Sequence, residues 1–335
     1  MFVSVVIPAR DEERTIERTV RALLAQTHEP LEVIVVNDRS TDRTGAILRS
    51  IEGVVVIDGE EPPAGWLGKP WALQQGSAHA KGELLLFIDA DIIYAPDAVA
   101  AAVARLEESG RAMLTLFPRF EMRGFWEHVA MPMLAFTGFT MLPTWLGDRL
   151  RIELLAIGGG TGNLIRRADY DAIGGHAALK DAVVDDVALA RLIRRSGRHS
   201  EIVRADDFVS LRMYHGAREI VDGFTKNAFA IMSRSYIVAA ASLLFMTAFH
   251  LLPYAAALAG NRIAIVTVAV ITLIRLLLYR ALRYRLDNAL LAHPLMIAFW
   301  GWVFLRSIWY TGVRRRLLWR GRTYDARQTR FGADR

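Results

Sequence analysis

The 335-residue sequence predicts an α/β domain with a mainly parallel sheet, followed by helices that cross a membrane. In the first half, short apolar runs alternate with segments of helical spacing, which is the pattern of an open, doubly wound sheet. The run at 83–88 is apolar at nearly every position, as expected for a central parallel strand. From 236 to 312, in contrast, apolar residues dominate and charges become rare.

The predicted elements of the first half follow in order along the chain. Such sheets bind ligands at the carboxyl ends of their strands, which here carry the segments 8–12, 37–39 and 89–91. These segments contain several acidic residues, so we expect them to surround a nucleotide. The predicted strands are 3–7, 31–36, 54–57 and 83–88, and the predicted helices are 12–26, a helix that Ser40 caps and that runs through Leu48, and 71–80.

Three hydrophobic stretches, 236–259, 263–282 and 289–312, each approach the ~20 residues that cross a bilayer. His250 and Pro253 interrupt the first and Arg275 lies in the second, so one of them is expected to be tilted or re-entrant. Three full crossings would place the basic tail outside, against the positive-inside tendency. An even number of crossings, or a further dip by 126–146, would resolve this conflict. With its two prolines, that stretch is interpreted as an interfacial helix or, equally, as a buried core helix.

Composition limits the classes of partner. The net charge of +6 comes from basic residues near the hydrophobic segments, which favours anionic lipid over nucleic acid, and the sequence has no nucleic-acid-binding motif. The absence of cysteine excludes disulfides and thiolate sites and agrees with a reducing cytosol. The hydrophobic stretches predict an integral membrane protein. Because no secretion signal is recognised at the N-terminus, we expect its first domain to lie in the cytoplasm. The predicted domains are 1–235, a membrane region at 236–312 and a cytosolic basic tail at 313–335.

Two acidic motifs follow predicted strands. Asp89 and Asp91 come directly after a buried strand, and their spacing lets both carboxylates point to one side. Such a pair suits Mg²⁺ or Mn²⁺ completed by phosphate oxygens, although a lone Asp-x-Asp is also common in loops. Asp38 ends an earlier strand, where it can accept a hydrogen bond from a base or ribose, or serve as an ordinary turn residue.

Four elements in order, VSVVIPARDEE, VIVVNDRSTD, GELLLFIDAD and VVDDVALARLIRRSG, resemble the family 2 glycosyltransferases and their GT-A nucleotide-binding fold. The resemblance implies a nucleotide-sugar donor and a divalent metal. Where Asp11 stands, the family usually has Asn. By this resemblance the donor site comprises Pro8, Ala9, Asp11, Glu12, Asp38, Lys69 and Asp89, with Asp38 at the base and Lys69 near the diphosphate, and Asp91 and Asp89 hold the metal.

The fourth element supplies a candidate catalytic base. Asp185 and Asp186 precede an amphipathic helix, and a carboxylate there can take the proton of an attacking hydroxyl or can simply complement the helix N-terminus. The family commonly has Glu-Asp at this pair, and its second residue acts, so the resemblance implies Asp186. Asp185 can tune the pKa of its neighbour, or pair with Arg191 or Lys180.

Two further segments resemble acceptor-binding regions. The glycine-rich segment GGGTGNLIRRADYDAIGGH is similar to the family's acceptor and donor loop, although its glycines would equally suit plain turns. The segment LRMYHGAREIVDGFTKNAF, HPL at 293–295 and the final WRGRTY are similar to membrane glycosyltransferases of the carotenoid-acid (diaponeurosporenoate) and hopanoid-associated type. The candidate residues in these segments are Gly160, Thr161, Gly162, Asn163, Arg212 and Tyr214, the last two of which are otherwise interpreted as residues of an interfacial helix.

Together these features predict an inverting, non-processive transferase that moves a hexose from a UDP-sugar to a lipid acceptor at the membrane. The Gln-x-x-Arg-Trp signature of processive synthases is absent from 197–235. The alternatives are a polyprenyl-phosphate sugar transferase using GDP-mannose and a non-catalytic scaffold that retains the fold. A nucleotidyltransferase is disfavoured because the acidic ARDEE replaces a glycine-rich, basic phosphate loop.

Overall fold

The computed structural model describes residues 1–232, 234–319 and 322–325. These residues form two compact units, one of 1–121 and 143–213, the other of 122–142 and the residues from 214 onward. Most of the predicted basic tail, including 326–335 and two residues of the WRGRTY motif, lies outside the described residues. The predicted domain boundaries at 235 and 312 stay a prediction.

The first unit is an α/β fold around a mainly parallel sheet, which confirms the predicted fold class. In chain order its strands are β1 (Val3–Ala9), β2 (Leu31–Asn37), β3 (Val54–Asp58), β4 (Leu84–Phe87), β5 (Ile93–Tyr94), β6 (Met113–Phe117), β7 (Arg119–Phe120), β8 (Asn163–Arg166), β9 (Ser200–Arg204) and β10 (Val209–Leu211). The main sheet has the order β3-β2-β1-β4-β8-β6-β9, with β8 antiparallel to both of its neighbours. The strands β5, β10 and β7 form a smaller sheet.

The helices alternate with these strands and then dominate the second unit. In chain order they are α1 (Ile16–Leu24), α2 (Thr44–Arg49), α3 (Gly68–His79), α4 (Ala98–Ser109), α5 (Phe125–Ala130), α6 (Pro132–Phe136), α7 (Thr144–Arg149), α8 (Arg167–Ala172), α9 (Asp185–Arg195), α10 (Ala217–Thr225), α11 (Ala228–Ile231), α12 (Tyr236–His250), α13 (Leu252–Leu258), α14 (Arg262–Ala281) and α15 (Asp287–Ser307).

The central strands are apolar because helices cover both faces of the sheet. Val5 and Val6 of β1 and Leu85 of β4 are fully buried, as the continuous apolar run predicts. In the parallel register Ala9 lies beside Asn37, so β1 and β2 end at one edge of the sheet. The residues that follow β1, β2 and β4 therefore meet at this edge, as the sequence predicts.

The second unit contains two helices of membrane-crossing length and composition among the described residues. They are Tyr236–Leu258, with a mean hydropathy of 1.7, and Arg262–Ala281, with 2.1. The first bends at the predicted place, since α12 ends at His250 and α13 begins two residues later with Pro253 in its first turn. The third predicted stretch forms most of α15. The number of crossings stays a prediction.

The stretch 126–146 is not one continuous helix. Pro132 begins a new helix after α5, and a π-helical turn at Thr137–Met141 follows it. Pro143 then precedes α7, which belongs to the first unit. Both breaks fall at prolines, because proline lacks the amide hydrogen that a helix interior needs.

A polar network connects three helices inside the apolar second unit. Arg275 of α14 is fully buried, and its Nη1 donates to Nδ1 of His293 at 2.9 Å. Because a guanidinium only donates, His293 must accept at Nδ1, and its Nε2 hydrogen is then donated to Nδ1 of His250 at 3.1 Å. Tyr279 accepts from Nη2 of Arg275 at 2.5 Å. Hydrogen bonds thus compensate the burial of these polar groups among apolar helices.

Helix α3 packs tightly on β1 and β2 at Gly76. A Cβ there would lie 2.4 Å from Cγ1 of Val6 and 3.1 Å from Cγ2 of Val36. We expect Gly76→Val to lower the free energy of unfolding by about 1–3 kcal/mol through overpacking, although helix propensity alone favours valine over glycine. Thermal unfolding in detergent measures this change. The matched control, Ala78→Val on the exposed face of the same helix, should change stability far less, and equal losses in both variants would contradict the packing explanation.

Candidate active site

A solvent-open cleft of about 250 Å³ lies at the carboxyl edge of the main sheet. Its floor is formed by the ends of β4 and β8, and its walls by α3 and the N-terminus of α9. Several predicted site residues lie in its lining, which also includes residues that the sequence analysis did not single out. The polar and glycine residues of the lining are Lys69, Asp89, Gly159, Gly160, Asn163, His176, Asp185 and Asp186.

Lys69 is the central charge of this cleft. Its Nζ lies 2.8 Å from Oδ1 of Asp89 and 3.4 Å from Oδ1 of Asp185. Burial opposes the charge on Lys69, but the attraction of Asp185, Asp89 and Asp186 outweighs it and raises the pKa of Lys69 well above its usual value. Lys69 is therefore a permanent cation that pairs with two acids from separate parts of the chain, Asp89 after β4 and Asp185 at the start of α9.

Asp185 is the most strongly perturbed acid of the cleft. Burial raises the pKa of its carboxyl to about 7, the charges of Asp186 and Asp89 act in the same direction, and Lys69 opposes them. The sequence left open whether Asp185 pairs with Arg191 or Lys180, and the structure pairs it with Lys69. Its side chain is only 5% exposed and lies beside Lys69, and its predicted catalytic role stays a prediction.

Asp186 is the more accessible member of the pair. It is half-buried, and its Oδ1 accepts the backbone amide of Val187 at 2.7 Å in the first turn of α9. Its backbone carbonyl accepts from Nδ2 of Asn163 at 3.3 Å, and Asn163 in turn accepts from Oγ1 of Thr115 at 2.9 Å. The N-terminus of α9 is thereby tied to β8 and β6, which fixes where the Asp186 carboxylate lies.

Glycines let the loop before β8 approach these acids closely. The carbonyl of Gly160 accepts the amide of Asp89 at 2.7 Å, and a Cβ at Gly160 would lie 2.0 Å from Oδ2 of Asp89. A Cβ at Gly158 would lie 1.9 Å from the carbonyl oxygen of Asp186. No side chain fits at either position, so these glycines hold the acids in place. Their predicted approach to a sugar stays a prediction.

The predicted base-binding end of the donor site lies at the ends of β1 and β2. Asp38 is 6% exposed, and its carboxylate lies 3.7 Å from Nη1 of Arg10 and 3.4 Å from Nε of Arg39. Arg39 also pairs with Glu61. The backbone amide of Asp38 donates to the carbonyl of Ala9 at 2.8 Å. This end of the site therefore contains arginine side chains and a carboxylate, the groups that can hydrogen-bond a base or a ribose.

Asp11 and Glu12 join the loops after β1 and β2. Asp11 has a positive φ of 53°, and its Oδ1 accepts the amide of Thr41 at 2.7 Å. The amide of Glu12 donates to Oγ1 of Thr44 at 2.7 Å. Asx-type side chains tolerate this left-handed conformation and can bond to backbone amides, which explains how Asp11 serves where the family usually has Asn.

The other predicted residues lie at the edge of the cleft or away from its lining. Pro8 is in the last part of β1, and Asp91 is half-buried just past Asp89. Thr161 donates to the carbonyl of Leu116 at 2.6 Å, and a Cβ at Gly162 would lie 2.3 Å from the hydroxyl of Tyr94, so both turn toward β5 and β6. Arg212 follows β10 in the first unit, whereas Tyr214 belongs to the second unit, where its ring packs on Phe224 at 5.4 Å.

His176 is a cleft residue that the sequence analysis did not identify. Its Nδ1 lies 2.7 Å from the hydroxyl of Tyr170, which lies 3.1 Å from Oγ of Ser77. Burial, aided by the charge of Lys69, lowers the pKa of His176 to about 3, so its ring is neutral. In the sequence, only its position in the glycine-rich segment could have indicated that His176 lies in the cleft. Its burial and its contact with Phe87 arise from tertiary packing.

The mainly parallel sheet, with acidic groups and a half-buried lysine at its carboxyl edge, is the arrangement of a nucleotide-binding GT-A fold. Residues 4–174 match Glycosyl transferase family 2, and the chain belongs to this family. The 4,4'-diaponeurosporenoate glycosyltransferase of Staphylococcus aureus strain MRSA252 is 28% identical over 96% of this chain and 88% of its own length. Its counterpart from strain bovine RF122 / ET3-1 is 27% identical over the same shares.

A solved structure supports the fold independently. A mannosyltransferase from Pyrobaculum calidifontis, in complex with GDP-Man and Mn²⁺, superposes with a TM-score of 0.53 at 21% identity. The superposition covers 92% of this chain and 87% of that one. At this level of identity the likeness establishes the shared fold.

The raised pKa of Asp185 makes stability depend on pH. Between its usual value of 3.8 and about 7, the folded chain keeps a proton on Asp185 that the unfolded chain has lost. The folded state thus binds more protons in this window, so this group makes the free energy of unfolding fall as pH rises from about 4 to about 7. We expect Asp185→Asn to flatten this decline in unfolding measured in detergent with EDTA.

The control for this prediction is Asp171→Asn, which removes an exposed carboxylate on α8 and should retain the slope of the parent protein. Equal slopes in the parent protein and in Asp185→Asn would contradict the assignment of the raised pKa to Asp185.

Proposed function

We propose that this glycosyltransferase moves a hexose from a nucleotide-diphosphate sugar, with a UDP-sugar favoured, to a lipid acceptor at the membrane. The observation that carries the proposal is the cleft in which Lys69 joins Asp89 and Asp185 beside the more accessible Asp186. A lipid acceptor is supported by the names of the relatives, whose length the chain largely covers. A membrane location is supported by the two apolar helices of membrane-crossing length.

In this proposal residues 1–235 form the catalytic domain, 236–312 anchor it in the cell membrane, and 313–335 lie in the cytoplasm with the catalytic domain. The donor site comprises the predicted residues at the ends of β1, β2 and β4 together with Lys69. Transfer is single, because the signature of the processive synthases is absent from 197–235. A GDP-mannose donor with a polyprenyl-phosphate acceptor is the second candidate.

Asp89 and Asp91 fit a divalent cation that arrives with its donor. Within the described residues no three histidine or acidic side chains gather into a complete metal cage. Mg²⁺ and similar ions, however, are commonly held by one or two carboxylates, with substrate phosphates supplying further ligands. The Asp89 side chain is 42% exposed at the cleft, and Asp91 follows at the same strand end. A bound Mg²⁺ or Mn²⁺ would supply positive charge against the diphosphate.

Lys69 would supply the protein's own positive charge to the leaving diphosphate. Its Nζ already lies among three carboxylates, so its charge is fixed before the donor binds. A preorganised cation stabilises charge that develops on the leaving group without reorganising during the reaction. Asp185, buried beside Lys69, holds the ammonium group in position.

Asp186 would act as the general base. The acceptor oxygen forms a bond to the anomeric carbon as the bond from that carbon to the diphosphate breaks, and the diphosphate keeps the electron pair. Asp186 takes the proton of the attacking hydroxyl. Because a single in-line displacement attacks from the side opposite the leaving group, the anomeric configuration inverts.

Replacing the proposed base tests both the catalytic role and the scaffold alternative. We expect Asp186→Asn to lower sugar transfer by about 10²–10⁴-fold, the range that general-base catalysis supplies, while nucleotide binding is retained. The amide oxygen of asparagine can still accept the Val187 amide, so the fold of α9 should persist. Transfer from UDP-hexoses to lipid extracts, with analysis of the anomeric configuration in the product, provides the measurement.

The matched control is again Asp171→Asn, which should transfer sugar at the parental rate. Retained activity in Asp186→Asn would exclude this residue as the base, retention of the donor's configuration would exclude inversion, and no transfer by the parent protein with any donor would favour the scaffold.

The proposed binding of a divalent cation by Asp89 and Asp91 can be tested separately. Because the carboxylates alone make an incomplete site, we expect Mn²⁺ alone to change the thermal stability of the parent protein little and to enhance the shift that UDP causes. A ligand at a hundred times its Kd adds about 2.7 kcal/mol to the stability of the native state. Thermal unfolding of the detergent-purified protein with UDP or GDP, each with and without Mn²⁺, measures this coupling.

Asp91→Ala should abolish the contribution of Mn²⁺, whereas Asp171→Asn should retain it. A larger shift with GDP than with UDP would favour the GDP-mannose candidate. Equal nucleotide shifts with and without Mn²⁺ would contradict metal dependence.

A further inference from the structure

The first unit carries an exposed apolar surface on α7 and the turn that follows it. Trp145 is 69% exposed, Leu150 59% and Leu154 69%, although side chains of this kind are usually buried in a soluble domain. Arg149 and Arg151 are exposed between them, and Nη1 of Arg151 also donates to the carbonyl of Gly197 at 2.9 Å. These five residues are called the α7 surface below.

The acidic residues of the same segment turn away from the α7 surface. Asp148 is buried, and its Oδ2 lies 2.7 Å from Nη2 of Arg111. Glu153 accepts from Nε of Arg195 on α9 at 3.0 Å. The outward side of the segment therefore combines apolar and cationic groups, while its negative charges are neutralised against the body of the unit.

Hydrogen bonds hold the backbone of the segment that carries these apolar side chains. Nη1 of Arg194 donates to the carbonyl of Ile152 at 2.9 Å, and the amide of Ile152 donates to the carbonyl of Gly147 at 2.8 Å. A Cβ at Gly147 would lie 2.5 Å from Cβ of Leu155, so the turn packs closely on α7. The backbone beneath the α7 surface is therefore fixed by the fold.

We propose that the α7 surface contacts the anionic face of a lipid bilayer. Tryptophan and leucine beside arginine form the combination that enters the headgroup region, with the cations at the phosphates. Charge complementarity selects this occupant, since Arg149 and Arg151 are exposed while Asp148 and Glu153 pair with arginines of the first unit. The chain also carries two helices of membrane-crossing length, which would bring a bilayer within reach. This inference rests on the membrane location in the proposed function. It adds a second site of membrane contact, which lies on the first unit and outside the apolar helices.

The absence of cysteine allows a clean test in the full chain. Leu150→Cys carries one environment-sensitive NBD label, and the protein is reconstituted into vesicles of phosphatidylcholine alone or of equimolar phosphatidylcholine and phosphatidylglycerol. We expect the emission to shift to shorter wavelength in the anionic vesicles and to be quenched by lipids with nitroxide headgroups. The same label at Ala78→Cys, on an exposed face of α3, should show neither effect.

A charge variant tests the electrostatic part. In the labelled protein, Arg149→Gln should reduce the equilibrium for lipid contact by about fivefold in anionic vesicles, the effect of one basic residue near such a surface. Arg18→Gln, an exposed arginine on α1, should leave this equilibrium unchanged.

An unquenched label in both vesicle types would overturn the inference. A blue shift without nitroxide quenching that grows with protein concentration would also overturn it, since it would assign the surface to a second copy of the chain. The thermal shift with UDP or GDP and Mn²⁺, measured on the same labelled protein, separates the two proposals. A normal nucleotide shift with an unquenched label would leave the proposed function intact, whereas loss of that shift would count against the function itself.

Discussion

The candidate active-site cleft depends on the ion pairs that Lys69 makes with Asp89 and Asp185. These pairs connect α3, the end of β4 and the N-terminus of α9 through a single ammonium group. Without that charge, the repulsion of Asp89 and Asp186 would raise the pKa of the buried Asp185 carboxyl still further. Removing one partner of an ion pair leaves the other charge uncompensated, so the contact that fixes the position of the Lys69 charge also holds the cleft together.

Backbone geometry supplies the second constraint. The glycines before β8 let the backbone approach Asp89 and Asp186 at distances where no Cβ fits, and the carbonyl of Gly160 accepts the amide of Asp89. Asn163 donates to the backbone carbonyl of Asp186 and accepts from Thr115. The backbone of Asp186 is therefore positioned by two strands, β8 and β6. A general base needs such positioning, because proton transfer requires hydrogen-bond distance to the acceptor before its pKa matters.

The two units each contain side chains in an unusual environment: the second buries polar groups, and the first exposes apolar ones. In the second, His250, Arg275 and His293 satisfy one another by hydrogen bonds inside helices that are otherwise apolar. In the first, the α7 surface exposes apolar side chains outward while the acids around it are paired inward. Both arrangements are consistent with the proposed membrane location, although one lies within apolar helices and the other on an α/β domain.

The sequence by itself determined the α/β class, the first four long strands with the three helices between them, and the acidic strand ends, because these depend on local periodicity and on motifs that can be read within a few residues; the predicted cap of α2 at Ser40 was wrong, since Arg43 occupies the N-cap position. It also indicated the family through four ordered motifs, and the helix break near Pro253. It did not reveal that Asp185 pairs with Lys69, that His176 is a neutral residue of the cleft, or that 126–146 divides between two units. Those features depend on contacts between residues distant in the chain, and on burial, which changes the energy of a charge without leaving a local signal. Only the tertiary structure decided them, because a pKa, an ion pair and an exposed surface are properties of what surrounds a side chain.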